Sequence, residues 1–301
     1  MFAHTSLVAA RERAAVLALM TLRSVPWNRL AGEVEEEGSA LALLQRLDAD
    51  ATAGRLFAVD EARISLDGME DYLHGLEAEG ISVVTVLDPE YPANLRMVHD
   101  RPAALFVRGE LCGRDPRSVA VVGTRKATDE GLGAARAVVS DLLAADYVIV
   151  SGLAAGIDSA AHRAALDADG RTVAVVGTGL RHAFPAANAE LQEQIAGEAA
   201  VISQFWPGQE PRRWTFPQRN AVMSGFARAT VVIEASHTSG ARMQARLAGE
   251  HGRPVFLYEG LLEHQWARTA AQRPGAYVVR SGAEVVDHLH RLYESDLTFA
   301  S

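Results

Sequence analysis

The segment 118–126, with the sequence Ser-Val-Ala-Val-Val-Gly-Thr-Arg-Lys, is the clearest indication of the fold. It begins with an uncharged, valine-rich run that ends at a glycine. A short β-branched run of this kind is typical of a strand buried on both faces of a sheet. Glycine lets the backbone turn tightly after the strand, and Arg125 and Lys126 follow closely. The stretch therefore predicts a core strand whose carboxyl end carries positive charge.

The same pattern recurs along most of the chain. Further apolar runs predict strands at 81–87, 103–107, 147–150, 172–176, 199–202, 229–233, 255–257 and 277–279. Helical segments separate the later runs, at 132–143, 158–166, 189–195 and 240–249. Apolar strands that alternate with helices are typical of a parallel sheet covered by helices on both faces. We therefore predict an α/β fold with a doubly wound, mostly parallel sheet.

The first part of the chain has a different pattern. Three segments have apolar residues at helical spacing, at 14–22, 40–47 and 69–79. We expect Pro26 to end the first helix, Ser39 to cap the second, and Ala51–Gly54 to be a connection. The predicted organisation is a small helical domain at 1–80, an α/β domain at 81–290 and a tail at 291–301.

The charge of the chain is unevenly distributed. The formal net charge is −9, but the segment 31–80 alone holds 13 acidic and 3 basic residues. In contrast, the segment 212–273 holds 9 arginines and 4 acidic residues. This distribution allows a locally basic face on an acidic protein, which suits a nucleic-acid ligand. The alternative is that the helices simply carry solvated charge of both signs.

Cysteine content and the N-terminal segment indicate the cellular compartment of the protein. The single cysteine, Cys112, cannot form an internal disulfide, and no Cys/His cluster has zinc-ligand spacing. The apolar segment 7–22 is interrupted by Arg11, Glu12 and Arg13, which predicts an amphipathic helix and not a signal peptide or membrane span. We therefore expect a cytoplasmic protein with no metal site and no membrane partner.

Glycine-rich turns follow several predicted strands. They contain Gly123, the pair Gly152 and Gly156, the pair Gly177 and Gly179, and the dipeptide Ser239-Gly240. Carboxyl ends of parallel strands meet at one edge of the sheet, where helix N-termini point N–H groups at bound phosphate. The sequence therefore predicts an anion site at this edge. The alternative is that the glycines serve only the packing of the turns.

Several enzyme classes lose support. The turn after Gly123 lacks the Gly-Lys-Ser/Thr of a Walker A loop, and it makes a poor dinucleotide fingerprint. Asp158 and His162 lie one helical turn apart, so an acid–base pair is conceivable. Capping of the helix by Asp158, or a local hydrogen bond, is the favoured explanation of that spacing. We therefore predict no enzyme activity, no catalytic residue and no cofactor.

The segment 212–220 has the sequence Arg-Arg-Trp-Thr-Phe-Pro-Gln-Arg-Asn. Cations interleaved with aromatic rings suit single-stranded nucleic acid, because the cations hold phosphates while bases stack on the rings. The alternative is that Trp214 and Phe216 fill the core while the arginines are solvated.

Longer motifs add a family resemblance. The motifs are Gly-Thr-Arg-Lys-Ala at 123–127, Ser-Gly-Leu-Ala-Ala-Gly-Ile-Asp-Ser-Ala-Ala-His at 151–162, Phe-Pro-Gln-Arg-Asn at 216–220, and Glu-Ala at 234–235 followed by Ser-Gly at 239–240. Together with Tyr-Pro-Ala-Asn-Leu at 91–95, they resemble the DNA-processing protein A (DprA/Smf) family over about residues 85–260.

The resemblance implies an extended Rossmann-like fold that binds single-stranded DNA, forms homodimers and passes the strand to the RecA recombinase during natural transformation. By motif match it implies that phosphate is held by Arg125 and Lys126 and by the turns at Gly123-Thr124, Ser151-Gly152 and Gly156. It also implies that the strand's path is lined by Arg213, Phe216, Arg219 and Asn220, and that Ser239-Gly240 closes the pocket. The acidic N-terminal module resembles the SAM-like domain that some members carry.

The chain departs from the family pattern at three places. Ala221 replaces the second arginine of Arg-Asn-Arg, Gln244 replaces a threonine, and Glu259-Gly260 replaces Pro-Gly. The predicted function is a non-enzymatic protein that protects incoming single-stranded DNA and helps to load RecA. The alternative is a nucleotide sensor or nucleotide-processing enzyme of a related Rossmann-like fold, although the chain lacks the Pro-Gly-Gly-x-Gly-Thr-x-x-Glu turn of the hydrolases.

Overall fold

Nine strands form a single sheet in this computed structural model, which describes residues 2–22, 27–52, 66–236 and 239–294. The strands are β1 (Ile81–Thr85), β2 (Ala104–Gly109), β3 (Ser118–Val122), β4 (Val148–Ser151), β5 (Thr172–Val175), β6 (Ala200–Ser203), β7 (Ala229–Val232), β8 (Val255–Tyr258) and β9 (Ala276–Val279). All nine predicted strands are therefore present, with ends that shift by one or two residues.

The order of the strands across the sheet is β1-β2-β6-β5-β4-β3-β7-β8-β9. β1 and β2 pair antiparallel, as do β2 and β6, and all other pairs are parallel. From β3 the chain winds outward through β4, β5 and β6, and it then returns to β7 on the other side of β3. The predicted doubly wound, mostly parallel sheet is confirmed. A crevice for ligands opens where such a sheet reverses direction, here between the ends of β3 and β7.

The α/β part of the chain contains eight helices among the described residues. They are α5 (Ala93–Arg96), α6 (Asp129–Ala144), α7 (Ile157–Asp167), α8 (Ala189–Glu198), α9 (Thr215–Phe226), α10 (Gly240–Glu250), α11 (Gln265–Ala270) and α12 (Gly282–Glu294). Short 3-10 turns lie at 115–117, 186–188 and 259–263. Of these helices, α5, α9, α11 and α12 are missing from the sequence prediction.

Side chains along β3 point alternately to the two faces of the sheet, and a separate part of the core covers each face. Val119 and Val121 pack with apolar residues of α6, α7 and α12. Ala120 and Val122 belong to the second cluster, which includes residues of α8, α9 and α10. Both faces of the strand are buried, which explains why its sequence is a continuous apolar run.

Four helices precede the sheet: α1 (Phe2–Thr21), α2 (Trp27–Glu37), α3 (Ala40–Thr52) and α4 (Leu66–Ala78). The helix prediction is confirmed for three of them, and α2 was missed. The Ser39 Oγ accepts the backbone N–H of Ala42 at 3.2 Å, so the predicted cap is present. The predicted connection at Ala51–Gly54 is wrong at its start, because α3 continues to Thr52. Pro26, residues 53–54 and tail residues 295–301 lie outside the described residues.

The helical module and the sheet share apolar packing. Leu17, Leu30 and Leu76 belong to the same buried cluster as Val83 and Phe106 of β1 and β2. The boundary after residue 80 therefore stays a prediction about the organisation of the chain. Within the described part of the chain, no helix combines the length and apolar character needed to cross a bilayer.

Candidate nucleic-acid interface

A cleft of about 670 Å³ lies at the carboxyl ends of β3 and β7, where the sheet reverses direction. Its lining includes Gly123, Thr124, Arg125, Lys126, Asp158, Phe216, Arg219, Asn220, Glu234, Ser239, Gly240, Gln244 and His264. Two other hollows, of about 260 and 810 Å³, lie beside Tyr91 and between α10 and α11. The cleft at the strand ends is the one that gathers most of the residues predicted to bind phosphate.

Close backbone contacts fix the turn after β3. The Thr124 N–H donates to the Glu234 carbonyl at 2.6 Å, and the Thr124 carbonyl accepts the Ile157 N–H at 3.2 Å. A Cβ on Gly123 would overlap the Ile157 side chain, and one on Gly156 would overlap the Thr124 carbonyl oxygen. Gly156 also has φ +80°, a conformation that side chains disfavour. These two glycines therefore allow the ends of β3 and β7 and the start of α7 to meet.

Glu234 orients this turn. Its Oε2 accepts the Thr128 N–H at 3.0 Å and the Thr128 hydroxyl at 3.1 Å. Thr128 in turn caps α6 by accepting the Gly131 N–H at 3.0 Å. The carboxylate is therefore occupied within the protein, and it holds the turn in place.

Arg125 and Lys126 stand at the rim of the cleft with exposed side chains. Among the residues that the structure describes, neither has a carboxylate within ion-pairing distance. The Arg125 guanidinium lies over the Phe216 ring, 5.3 Å from its centroid. The two cations are therefore available to an anionic ligand beside an aromatic surface.

Arg219 also lines the cleft, but its side chain is buried. It is 6% exposed, and its Nη1 donates to the carbonyls of Gly152 and Val175, the latter at 2.8 Å. Burial lowers the pKa of Arg219, while the nearby Asp158 carboxylate acts to raise it. Burial raises the pKa of Asp158, and Arg219 opposes that shift. Arg219 thus stabilises the floor of the cleft, and its place along the path of the strand stays a prediction.

Two further residues that were predicted to bind the ligand make contacts within the protein. Ser151 is fully buried, and its hydroxyl donates to the Val121 carbonyl at 2.6 Å, so its side chain does not line the cleft. Gly152 makes room for the guanidinium of Arg219, since a Cβ there would overlap it. Both residues therefore have structural roles, and the contact of their turn with a ligand stays a prediction.

The start of α10 forms the opposite wall. The Ser239 Oγ accepts the Ala241 N–H at 3.2 Å and caps the helix. The Asn220 amide donates to the Gly240 carbonyl at 3.4 Å, and its oxygen accepts Arg219 Nε at 3.0 Å. A Cβ on Gly240 would meet no protein atom within 4 Å, so nothing in the described chain crowds this position. Ser239 and Gly240 therefore line the same cleft as the predicted cations, as expected.

Gln244, one of the departures from the family pattern, also borders the cleft, although it is only 1% exposed. With its amide turned to satisfy both groups, it donates to the Asn220 carbonyl at 3.0 Å and accepts the Ser224 N–H at 3.3 Å. The side chain thus joins α10 to α9.

Further aromatic rings lie near Phe216, outside the lining of the cleft. Phe216 is half-buried, and the ring of Phe184 lies 5.5 Å from it with 41% exposure. Trp214 is 52% exposed and packs edge-on against Phe205, so the interpretation that it fills the core is wrong. Arg213 is exposed but does not line the cleft itself. Sequence reasoning missed Phe184, although Phe184-Pro185 repeats the Phe-Pro of the 216–217 motif.

The glycine turn at 177–179 and the histidine of the Asp158/His162 pair both have structural roles. A Cβ on Gly177 would lie 2.8 Å from Phe216, and one on Gly179 would overlap backbone carbonyls of Trp206 and Pro207. His162 is fully buried, with Nδ1 2.7 Å from the Thr172 hydroxyl, and burial lowers its pKa to about 3. His162 is therefore neutral and bonded away from Asp158, which supports a structural role over an acid–base pair.

Exposed cations beside an aromatic ring, in a cleft where a doubly wound sheet reverses direction, are typical of the class of proteins that bind phosphate-bearing ligands. The family described as DNA recombination-mediator protein A matches residues 82–295. The chain belongs to that family, and the resemblance to DprA/Smf proteins is confirmed.

Known relatives cover most of the chain. DNA processing protein DprA of Streptococcus pneumoniae is 36% identical over 234 residues, which are 77% of this chain and 79% of the relative. Protein Smf of Synechocystis is 39% identical over 203 residues, which are 66% of this chain and 50% of the relative. The X-ray structure of the pneumococcal protein has a TM-score of 0.65 at 32% identity, covering 81% of this chain and 91% of that one.

A solved structure of DNA processing protein A from Helicobacter pylori has the same fold. Its TM-score is 0.63 at 23% identity, and the match covers 71% of this chain and 97% of that one. Both structures agree with the extended Rossmann-like architecture described above.

Proposed function

We propose that this chain binds single-stranded DNA in the cleft at the ends of β3 and β7. The observation that carries the proposal is the position of the exposed Arg125 guanidinium over the Phe216 ring, with Lys126 beside it. Arginine and lysine hold backbone phosphates, and a neighbouring ring stacks on a base of any sequence. The strand is therefore bound without sequence preference.

Membership of the family supports this assignment. The related DNA processing protein A of H. pylori has a single-stranded DNA binding mode. The proposed role of this chain is to protect incoming single strands in the cytoplasm and to help load the RecA recombinase during natural transformation. In this role it acts as a homodimer and by binding alone, without catalysis.

A titration across salt concentrations tests the proposal. We expect a labelled single-stranded oligonucleotide to gain fluorescence anisotropy on binding, with an affinity that falls steeply as salt rises. Arg125→Ala and Lys126→Ala should each weaken binding and reduce the salt slope by about 1. Arg136→Ala is the matched control, because Arg136 is exposed on α6 and does not line the cleft. No binding at low salt, or equal effects of all three variants, would overturn the proposal.

The alternative ligand is a free nucleotide in the same cleft, whose volume of about 670 Å³ is within the range of small-molecule sites. Native mass spectrometry of the purified chain distinguishes the two ligands. A co-purified nucleotide that the oligonucleotide cannot displace would favour the nucleotide, whereas displacement would favour the DNA strand.

A further inference from the structure

His99, Asp100 and His251 come together at the far end of α10 from the cleft. Each side chain offers one ligand atom, and these atoms all lie within 4.8 Å of one another. In the described ranges 2–22, 27–52, 66–236 and 239–294, this is the one such group of three or more His, Cys, Asp or Glu side chains. Ser239 begins α10 at the cleft and His251 follows its last residue, so about 16 Å of helix separate the two places.

The hydrogen bonds of His251 decide which of its nitrogens carries the proton. Its Nδ1 lies 2.8 Å from the Ser224 Oγ, and that hydroxyl also lies 3.1 Å from the Ala221 carbonyl. A hydroxyl has one hydrogen, and the Ala221 carbonyl can only accept it, so Ser224 accepts the hydrogen of His251 Nδ1. With this hydrogen on Nδ1, the ring offers its Nε2 lone pair to a proton or a metal ion.

That lone pair faces a second acceptor. Nε2 of His251 lies 2.8 Å from Asp100 Oδ1, in a side chain that is 1% exposed. Two acceptor atoms at this distance need a proton or a metal cation to bridge them. Asp100 is 28% exposed, so this position can be reached from solvent.

The position of His99 favours a metal cation over a proton between His251 and Asp100. Its side chain is exposed, and its ring stands edge-on to His251 with centroids 5.7 Å apart. Two imidazole nitrogens and a carboxylate oxygen are a ligand set that zinc uses, with water at the fourth position. A metal-bound histidine characteristically donates its other N–H to an orienting partner, which here is Ser224.

We propose that His99, Asp100 and His251 bind a divalent transition-metal ion of the zinc class, with Ser224 holding the His251 ring. The ion ties the segment that precedes β2 to the end of α10. His251 is 151 residues from Asp100 along the chain, so no local spacing motif exists and the sequence predicted no metal site.

The test uses the full-length chain without a histidine tag. After treatment with a chelator, Zn²⁺ and Co²⁺ are titrated calorimetrically into the wild-type protein and three variants. We expect one equivalent to bind to the wild type and to raise the thermal midpoint. His99→Ala and Asp100→Asn should each weaken binding at least about tenfold, since loss of an orienting partner alone costs that much. His74→Ala, an exposed histidine on α4, should bind like the wild type.

Each outcome has a clear meaning. His99 is exposed, so His99→Ala should fold normally and its circular dichroism spectrum should match the wild type. Absence of stoichiometric binding would overturn the proposal. Binding that survives His99→Ala would equally overturn it. Single-stranded DNA affinity, measured with and without chelator, should remain unchanged because the cleft lies at the other end of α10.

Discussion

Arg125 and Arg219 both line the cleft that contains Phe216, yet their surroundings assign them opposite roles. Arg125 is exposed at the rim of the cleft, whereas Arg219 is buried beneath it and bonded to backbone carbonyls. In the sequence, both arginines lie in motifs that resemble the DprA/Smf family, and both are predicted to contact the DNA strand. Burial depends on how α9 packs, which local sequence does not reveal, so only part of the site could be predicted.

Replacing Arg219 should therefore damage the fold more than replacing a surface residue. Arg219→Ala leaves the carbonyls of Gly152 and Val175 without their donor and removes the positive charge that stabilises the buried Asp158 carboxylate. We expect a loss of about 1–3 kcal/mol in the free energy of unfolding, measured by urea denaturation. Arg125→Ala, the exposed counterpart, should change it by less than about 0.5 kcal/mol. Equal stabilities of the two variants would contradict the stabilising role.

Substitutions of Phe216 separate the contribution of base stacking to DNA affinity from the contribution of charge. Phe216→Leu keeps an apolar side chain against Gly177 but removes the ring, so affinity for single-stranded DNA should fall by about 1–3 kcal/mol. The salt slope should stay constant, because the ring neutralises no phosphate. Phe216→Tyr should retain most of the affinity. A salt slope that changes with Phe216→Leu would indicate that the variant displaces Arg125 instead.

His162 makes stability depend on pH. Its pKa is about 3 in the folded protein and 6.5 in the unfolded chain, because burial disfavours the charged ring. Below pH 6.5 the unfolded chain binds a proton at His162, whereas the folded chain does not. The contribution of His162 to the free energy of unfolding is therefore complete above pH 6.5 and is lost as the pH falls toward 3. Between about pH 7.5 and pH 5 the free energy of unfolding should fall by about 2 kcal/mol.

Urea denaturation at a series of pH values checks this expectation. His162→Asn keeps an N–H for the Thr172 hydroxyl and does not titrate, so its stability should depend less on pH over the same interval. Identical pH profiles for the wild type and the variant would show that other groups cause the dependence.

At the scale of helices and strands, the sequence predicts the elements with simple patterns best. Every strand of the sheet was predicted, because continuous apolar runs identify strands that are buried on both faces. The helix α9 was missed because its buried residues do not form one stripe: eight of its twelve residues are buried, Arg219 and Asn220 among them. Burial on several sides conceals the helical period on which sequence reasoning relies.

Two glycines at helix starts should respond differently to the same substitution. Gly156→Ala places a Cβ against the Thr124 carbonyl at φ +80°, and we expect a loss of at least about 2 kcal/mol in the free energy of unfolding. Gly240→Ala meets no atom of the described residues within 4 Å, so stability should hold while DNA affinity falls if the strand passes close to this backbone. Denaturation and anisotropy titrations on both variants give the comparison, and equal losses of stability would contradict the steric argument.

At the scale of the whole molecule, ion pairs join the acidic helical module to the rest of the protein. Arg13 Nη2 lies 2.9 Å from Asp88 Oδ1, and Arg181 pairs with Glu79 at 2.6 Å. Glu35 of α2 binds Arg96 at 3.0 Å and also binds Arg101. Negative charge on this module is therefore partly neutralised by arginines outside it. Among the described residues, Arg125 and Lys126 at the cleft have no carboxylate partner of this kind, so an acidic protein retains a basic site.

This coupling predicts that the helical module and the sheet unfold together. Differential scanning calorimetry should show one transition, because apolar packing and ion pairs both cross the boundary after residue 80. Glu35→Ala should cost about 1 kcal/mol, since its pairs are only partly buried, and should lower the midpoint of that single transition by roughly 2 °C. Glu193→Ala, which removes a more exposed pair with Arg108 inside the α/β part, should have a smaller effect. Two resolved transitions, of which Glu35→Ala shifts only one, would instead make residues 1–80 an independently folding domain.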